Sequence, residues 1–145
     1  AMIKTLPNKW VRKAVFEAIN NIEVDGKQIP CFDMRTPTNN KSEFYTLLTT
    51  QTNLEDKNNK CESLWQSSIL IDIVTIYNGV GNTGSRLAVD NITDAVRNSV
   101  QNLALDSQSG LQIMFQTVGS IDNLDTVTRS QNVYRILYRI ELTIN

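Results

Sequence analysis

Residues Gly79-Val80-Gly81-Asn82-Thr83-Gly84 spell G-x-G-x-x-G between a strongly apolar run and a helical pattern. In that setting backbone N–H groups can cradle a nucleotide phosphate. The rest of a dinucleotide site is missing. No alternating strand–helix units follow, no acidic residue stands near Thr117 to take a ribose hydroxyl, and all three glycines precede Ser85, the expected first helical residue. The plainer reading is a strand-to-helix connection whose glycines permit positive φ. The helix start at Ser85 to Leu87, with Arg86 beside it, could hold an anion, but every helix has such an end. Carboxylates are scattered. Asp90 and Asp94 share the polar side of that helix, and Asp122 and Asp125 flank Asn123 in what reads as a polar turn with no twelve-residue calcium loop.

Histidine is absent, which removes the commonest general base, and with it triads, His–Cys dyads and most catalytic zinc sites. Cys31 and Cys61 are lone thiols without C-x-x-C spacing, which suits a reducing compartment; whether they pair depends on geometry. The sequence therefore assigns no catalytic, cofactor-binding or metal-binding residue and reads as a non-enzyme. A net charge of -1 gives no electrostatic case for binding free nucleic acid. No apolar run approaches the roughly 20 residues of a membrane span. No signal peptide is visible after Met2, so a cytoplasmic chain is expected, and Ala1 reads as a cloning remnant.

With 145 residues the chain is expected to form one domain, 1–145, able to bury a core of its own. Asn8 is a candidate cap for a helix over about Lys9 to Asn20, whose apolar stripe is Trp10, Val11, Ala14, Val15, Ala18 and Ile19. Ile22 to Val24, the turn Asp25-Gly26, and Lys27 to Asp33 read as a hairpin, with Pro30 confining its second run to an edge. A strand over about Phe44 to Asn53, a polar tip from Leu54 to Lys60, and a strand over Ser67 to Tyr77 follow. The last of these is apolar on both faces and so belongs in the middle of a sheet. A second helix, about Ser85 to Asn102, carries the stripe Ala88, Ile92, Ala95, Val96, Ser99 and Leu103, with Arg86 and Asp90 as a favourable pair. Leu111 to Val118 is a strand and Asn123 to Gln131 a polar turn region. From Val133 to Asn145 strict alternation places Tyr134, Ile136, Tyr138, Ile140, Leu142 and Ile144 on one face, the mark of a half-buried strand. The fold class is α+β, with order α-β-β-β-β-α-β-β: two helices on one face of a mostly antiparallel sheet with a long central hairpin.

The candidate contact residues lie on that hairpin and on the last strand. Phe44, Tyr45, Leu47 and Leu48 on one side of the tip, and Leu64 and Trp65 on the other, are apolar groups on an extension the core does not need, so they are candidates for meeting another subunit or, equally, for covering the open end of the sheet. Arg135 and Arg139, two strand positions apart on the polar face, could grip carboxylates or phosphates.

The leading amphipathic helix, the hairpin ending Ile29-Pro30-Cys31-Phe32-Asp33, and the run Ser68-Ile69-Leu70-Ile71-Asp72-Ile73-Val74-Thr75-Ile76-Tyr77 form a recognisable sequence of elements. The run leads through a glycine loop into Asp90-Asn91-Ile92-Thr93-Asp94-Ala95-Val96, and Asn132 to Ile140 closes the set. In order and spacing this resembles the tail-completion, or tail-terminator (minor tail protein U-like), family of long-tailed phages and prophages, over about Trp10 to Ile144. The chain departs from the family's pattern in its long insertion between Asn53 and Leu64, and in having Ile76-Tyr77 where a tryptophan is usual. The resemblance implies a structural virion protein without catalysis or cofactor, made in the host cytoplasm and placed at the head-proximal end of the tail. Copies would close a ring, typically six-fold, that ends tail-tube polymerisation and meets the tail-tube protein below and the head connector above. DNA would be only passing cargo, and no membrane would be involved. The alternatives are a small α+β domain that binds an anion or nucleotide through residues 79–84, and a generic dimeric interaction module. Loss of phosphate binding in Gly81→Val would favour the former; oligomer size separates the latter.

Overall fold

The computed structural model describes residues 6–36, 42–56, 64–79 and 84–145. Helix α1 spans Asn8–Ile19, followed by β1 (Ile22–Val24), β2 (Lys27–Ile29), β3 (Cys31–Asp33), β4 (Phe44–Asp56) and β5 (Leu64–Asn78). Helix α2 (Leu87–Val100), a 3₁₀ turn at Ser107–Ser109, β6 (Ile113–Val127) and β7 (Gln131–Ile144) complete the fold. The α+β class and the order of elements match the sequence expectation, with one strand divided in two.

That division falls at Pro30. Asp25 and Gly26 both adopt positive φ, as a tight hairpin turn requires, and they pair β1 with β2. Proline has no N–H to continue the ladder. The chain therefore changes partner: β3 leaves the small sheet and runs parallel to β4, with the Pro30 carbonyl accepting the Thr46 N–H at 2.9 Å.

The main sheet has the order β3-β4-β5-β7-β6, which puts the doubly apolar strand at its centre. Ile69, Ile71 and Ile73 of β5 share a face with Ile136, Tyr138 and Ile140 of β7, all buried. Against that face pack Val11, Val15 and Ile19 of α1 and Val89, Ile92 and Val96 of α2. Both helices differ from expectation in detail. Asn8 does not cap α1; its side chain instead meets the Asn53 amide, and Pro7 stands at the cap position. On α2 the buried stripe is Val89, Ile92, Thr93, Val96 and Val100, rotated from the small-residue stripe because the β-branched side chains take the core positions. Thr93 satisfies its hydroxyl on the Val89 carbonyl, 2.7 Å away.

The region expected to be a polar turn, Asn123 to Gln131, is mostly strand. β6 continues to Val127 against β7, and Thr128 and Gln131 close a tight hairpin there. Strand β4 likewise runs to Asp56, past Asn53. A bulge between Leu48 and Gln51 interrupts it, where Arg12 of α1 donates to the Thr49 carbonyl at 3.0 Å and pairs with Asp33 at 2.8 Å. One guanidinium thus clamps a helix to a strand edge and a bulge.

Lys13 of α1 pairs with Asp106 at 2.9 Å and so ties the helix to the stretch leading into β6. The Lys13 ammonium, and then the Gln108 N–H, hold the Asp106 carboxyl below its ordinary value. The unfolded chain therefore binds more protons in acid, and this contribution is complete above the unfolded carboxyl value and lost as pH falls through the folded one. Asp106→Asn, which keeps an acceptor for Gln108, is expected to flatten the acid limb of stability against pH below about pH 5. Urea midpoints measured from pH 7 downward check this, and curves that stay parallel would refute it.

Candidate interaction face

Among the described residues the helices cover one side of the sheet and no element packs on the other, the bare side. On the bare side Tyr45 and Leu47 of β4 stand beside Val74 and Asp72 of β5, and these beside Arg135 and Leu137 of β7. The central group is Asp72, whose residue is only 3% exposed although it carries a carboxylate. Arg135 holds it with two donors, Nε to Oδ1 at 3.2 Å and Nη2 to Oδ2. A bidentate pair of this kind is strong and directional. The hydrogen bond to Asp72 raises the Arg135 pKa, and burial, then the Asp72 charge, raise that of the Tyr45 hydroxyl. Phe32 packs on Tyr45 with ring centroids 5.8 Å apart and extends the apolar rim.

The contact residues picked from sequence divide between the two faces. Tyr45, Leu47, Arg135 and Arg139 come together on the bare side, and Leu64 lies toward one end of the same side, half-buried. Leu48 is wholly buried and belongs to the core, a correction that follows from its pairing with Ile71 on the helix side. Phe44 and Trp65 also face the helix side, partly buried against that core; Phe44 meets Tyr77 edge-on at 5.6 Å and Lys27 at 4.7 Å. Arg139 reaches Ser68 at 3.4 Å, and Ser68 bonds Thr52 at 2.5 Å.

Sequence reasoning missed two things. Asp72 stands inside an apolar, β-branched run, and a charge in such a run signals a buried partner. The second is β6, where Phe115, Val118, Ile121, Leu124 and Val127 are all exposed. Their spacing of three matches neither a strand face nor a helix face, so a period-two search passes over them. On the bare side they include Phe115, 70% exposed, and Leu124.

The glycine motif does not assemble a phosphate site among the described residues; 80–83 lie outside them. Gly79 and Gly84 have positive φ, and a Cβ on Gly84 would run into the Tyr77 ring. Packing thus accounts for Gly84. Arg86 binds Asn123 at 2.7 Å and Asp125, both on β6, with Asp90 farther off at 3.9 Å. Its charge is engaged within the fold, and Asp122 and Asp125 lie on a strand, not in a cation-binding turn. Among the described residues no cluster of acidic or thiol groups could hold a metal, and no helix is long and apolar enough to cross a membrane. Cys31 is buried, with its thiol pKa pushed up by burial; Cys61 lies outside the described residues.

No protein-family model and no curated protein matches the sequence. Among solved structures, a chain from the virion of a native gene transfer agent particle has a similar fold, with a TM-score of 0.65. The likeness covers 94% of this chain and 96% of that one at 12% sequence identity, a likeness of fold.

Variants on this face and at Gly84 test these contacts. Arg135→Ala strands a buried carboxylate and is expected to cost about 3 kcal/mol, whereas the double variant Asp72→Leu/Arg135→Leu costs less than that single change. Chemical denaturation of the set decides it; a double variant as weak as the sum of its singles would show that the charges are not coupled. Gly84→Ala is expected to lose more than about 1 kcal/mol through the positive φ and Tyr77 together; recovery of stability in Gly84→Ala/Tyr77→Leu is the mark of the ring contact, and no recovery would refute it.

Proposed function

We propose that this protein is a non-enzymatic structural component of a phage or prophage virion, of the tail-completion type. The observation that carries the reading is a fold shared along nearly the whole length of both chains with a chain from a gene transfer agent virion. The element order that first resembled tail terminators supports the finer assignment. In this reading copies join head to tail into a ring of about six. The ring ends tail-tube polymerisation at the head-proximal end and presents one surface to the head connector.

The bare sheet face suits such a role. Tyr45, Leu47, Leu64 and Arg139 are the proposed contact residues there, with Phe44 and Trp65 contributing from the helix side and Arg135 holding the face in shape. A near-neutral chain is compatible with a lumen that lets DNA pass, since strong phosphate binding would retain it.

Native mass spectrometry over a concentration series, with large species imaged by negative stain, tests the proposal. A closed ring of about six copies is expected. A discrete dimer, or a chain that stays monomeric even when tail tubes are supplied, overturns it.

A further inference from the structure

Among the described residues the sheet has two open edges, the distal half of β4 and the strand β6, and their chemistry matches at one height. The registers link Leu54 to Gln66, Gln66 to Thr143, and Thr143 to Phe115, so these four residues form a single row across β4, β5, β7 and β6. All four lie on the side away from the helices, because their chain neighbours Trp65 and Ile144 point toward the core. The middle of the row is polar, with the Thr143 hydroxyl donating to Gln66 at 3.1 Å. Its two ends are apolar and open: Leu54 is 69% exposed and Phe115 is 70% exposed. An isolated sheet gains nothing from large apolar groups at both tips of a polar row.

We propose that these edges join between copies of this chain, with residues 115–118 of β6 in one copy laid against residues 51–54 of β4 in the next. The inference rests on the head-to-tail reading above and adds to it a contact between strand edges. Three successive antiparallel pairings, β4 with β5, β5 with β7 and β7 with β6, make β4 and β6 run in opposite directions. Copies related by rotation about an axis along the strands therefore present β6 antiparallel to the neighbour's β4, level with it. Leu54 then opposes Phe115, Asn53 opposes Gln116, Thr52 opposes Thr117, and Gln51 opposes Val118. No charge faces a charge.

Three further features favour this pairing. β3 covers β4 only at residues 46–48, which leaves its distal half without a strand neighbour among the described residues. Natural edges are usually guarded by lysine, proline or inward charges, yet residues 51–54 and 113–118 contain none of these. The acidic residues of β6, Asp122 and Asp125, lie farther along it, and Asp125 is taken by Arg86. Finally, β6 is irregular at 113/115 and at 118/120. The stretch they bracket, 115–118, matches in length residues 51–54 of β4, which lie between that strand's own break at 48/51 and Glu55. A contact between unlike edges that repeats from copy to copy closes into a ring when its rotation allows.

Disulfide trapping tests the contact. In a Cys61→Ser background, with Cys31 buried, Leu54→Cys and Phe115→Cys in one chain are expected to give, on oxidation, a ladder of covalent oligomers ending at the ring size. The two positions lie about 14 Å apart within a copy, three strand spacings, too far for an internal bond. Each single variant alone should remain uncrosslinked, and a mixture of the two should stop at a dimer. Efficient dimers from Phe115→Cys alone would mean a two-fold β6 contact and overturn the proposal. Rings seen by native mass spectrometry without a covalent ladder would overturn this contact but spare the ring; no assembly under any condition would remove both. As a second readout, Leu54→Lys or Phe115→Asp alone should raise the concentration needed for assembly by about tenfold, with unchanged circular dichroism. The combined Leu54→Lys/Phe115→Asp chain should restore assembly, and failure of that rescue counts against direct opposition of the two positions.

Discussion

The long pairing of β5 with β7 fixes everything else in this molecule. It runs without a register break from Trp65 opposite Ile144 to Asn78 opposite Gln131. Side chains alternate between faces, so a slip of one residue would turn the isoleucines of one strand out of the helix-side core and bring that strand's polar side, Asp72 of β5 or Arg135 and Arg139 of β7, into it. The hydrophobic cost alone forbids this. The Asp72–Arg135 pair adds a directional lock, because Asp72 stands opposite Leu137 and reaches diagonally to Arg135 two residues away. Buried ion pairs are poor sources of net stability, and their best-attested use is to specify one arrangement over its neighbours. On the uncovered face, where no helix discriminates between registers, that is the use this pair has.

The flanking elements inherit their places from this ladder. α1 and α2 settle on the side where Ile69, Ile71, Ile136 and Ile140 are exposed by it, and their own valines and isoleucines meet those residues. β4 follows β5 until the Leu48–Gln51 bulge, where Arg12 draws strand and helix together. β6 follows β7 and projects beyond the cover of α2, held near one end by Arg86 and near the other by the Gln116 amide on the Val100 carbonyl.

Much of this was legible in the sequence where one physical signal dominated. The period-two stripe from Tyr134 to Ile144, the doubly apolar central strand and the Asp25-Gly26 turn each rest on a local pattern that tertiary contacts do not override. Pro30 was legible as an edge residue, but not as a point of exchange between two sheets, because that depends on a partner strand sixteen residues away. The helical stripe of α2 was misjudged because small and β-branched residues compete for the same face, and only the sheet beneath decides. Leu48 was misjudged because a hairpin that protrudes at its tip is still core at its base. The end of β6 was missed because Asp122, Asn123 and Asp125 are turn-formers by composition, yet here Arg86 gives two of them a partner and the ladder to β7 carries them on as strand. At the glycine motif, Gly79 and Gly84 take the positive φ that the plainer reading expects, and Gly84 also makes room for Tyr77, which no local pattern announces.

The order of strands also bears on how the chain comes into being. β7 lies between β5 and β6 in the sheet but follows both in the sequence. A nascent chain emerging in order can form α1, the small hairpin and the β4–β5 pair early. Throughout that interval β5 has one side unpaired, and β6 has no partner in the sheet at all. Both must wait for residues 131–144, so the most apolar strand and the most exposed edge stay open together until synthesis has passed Ile144. Such late, long-range closure is slow and leaves sticky surface uncovered. The stretch of synthesis in which this domain exposes most of its own interior is therefore the one before residues 131–144 emerge.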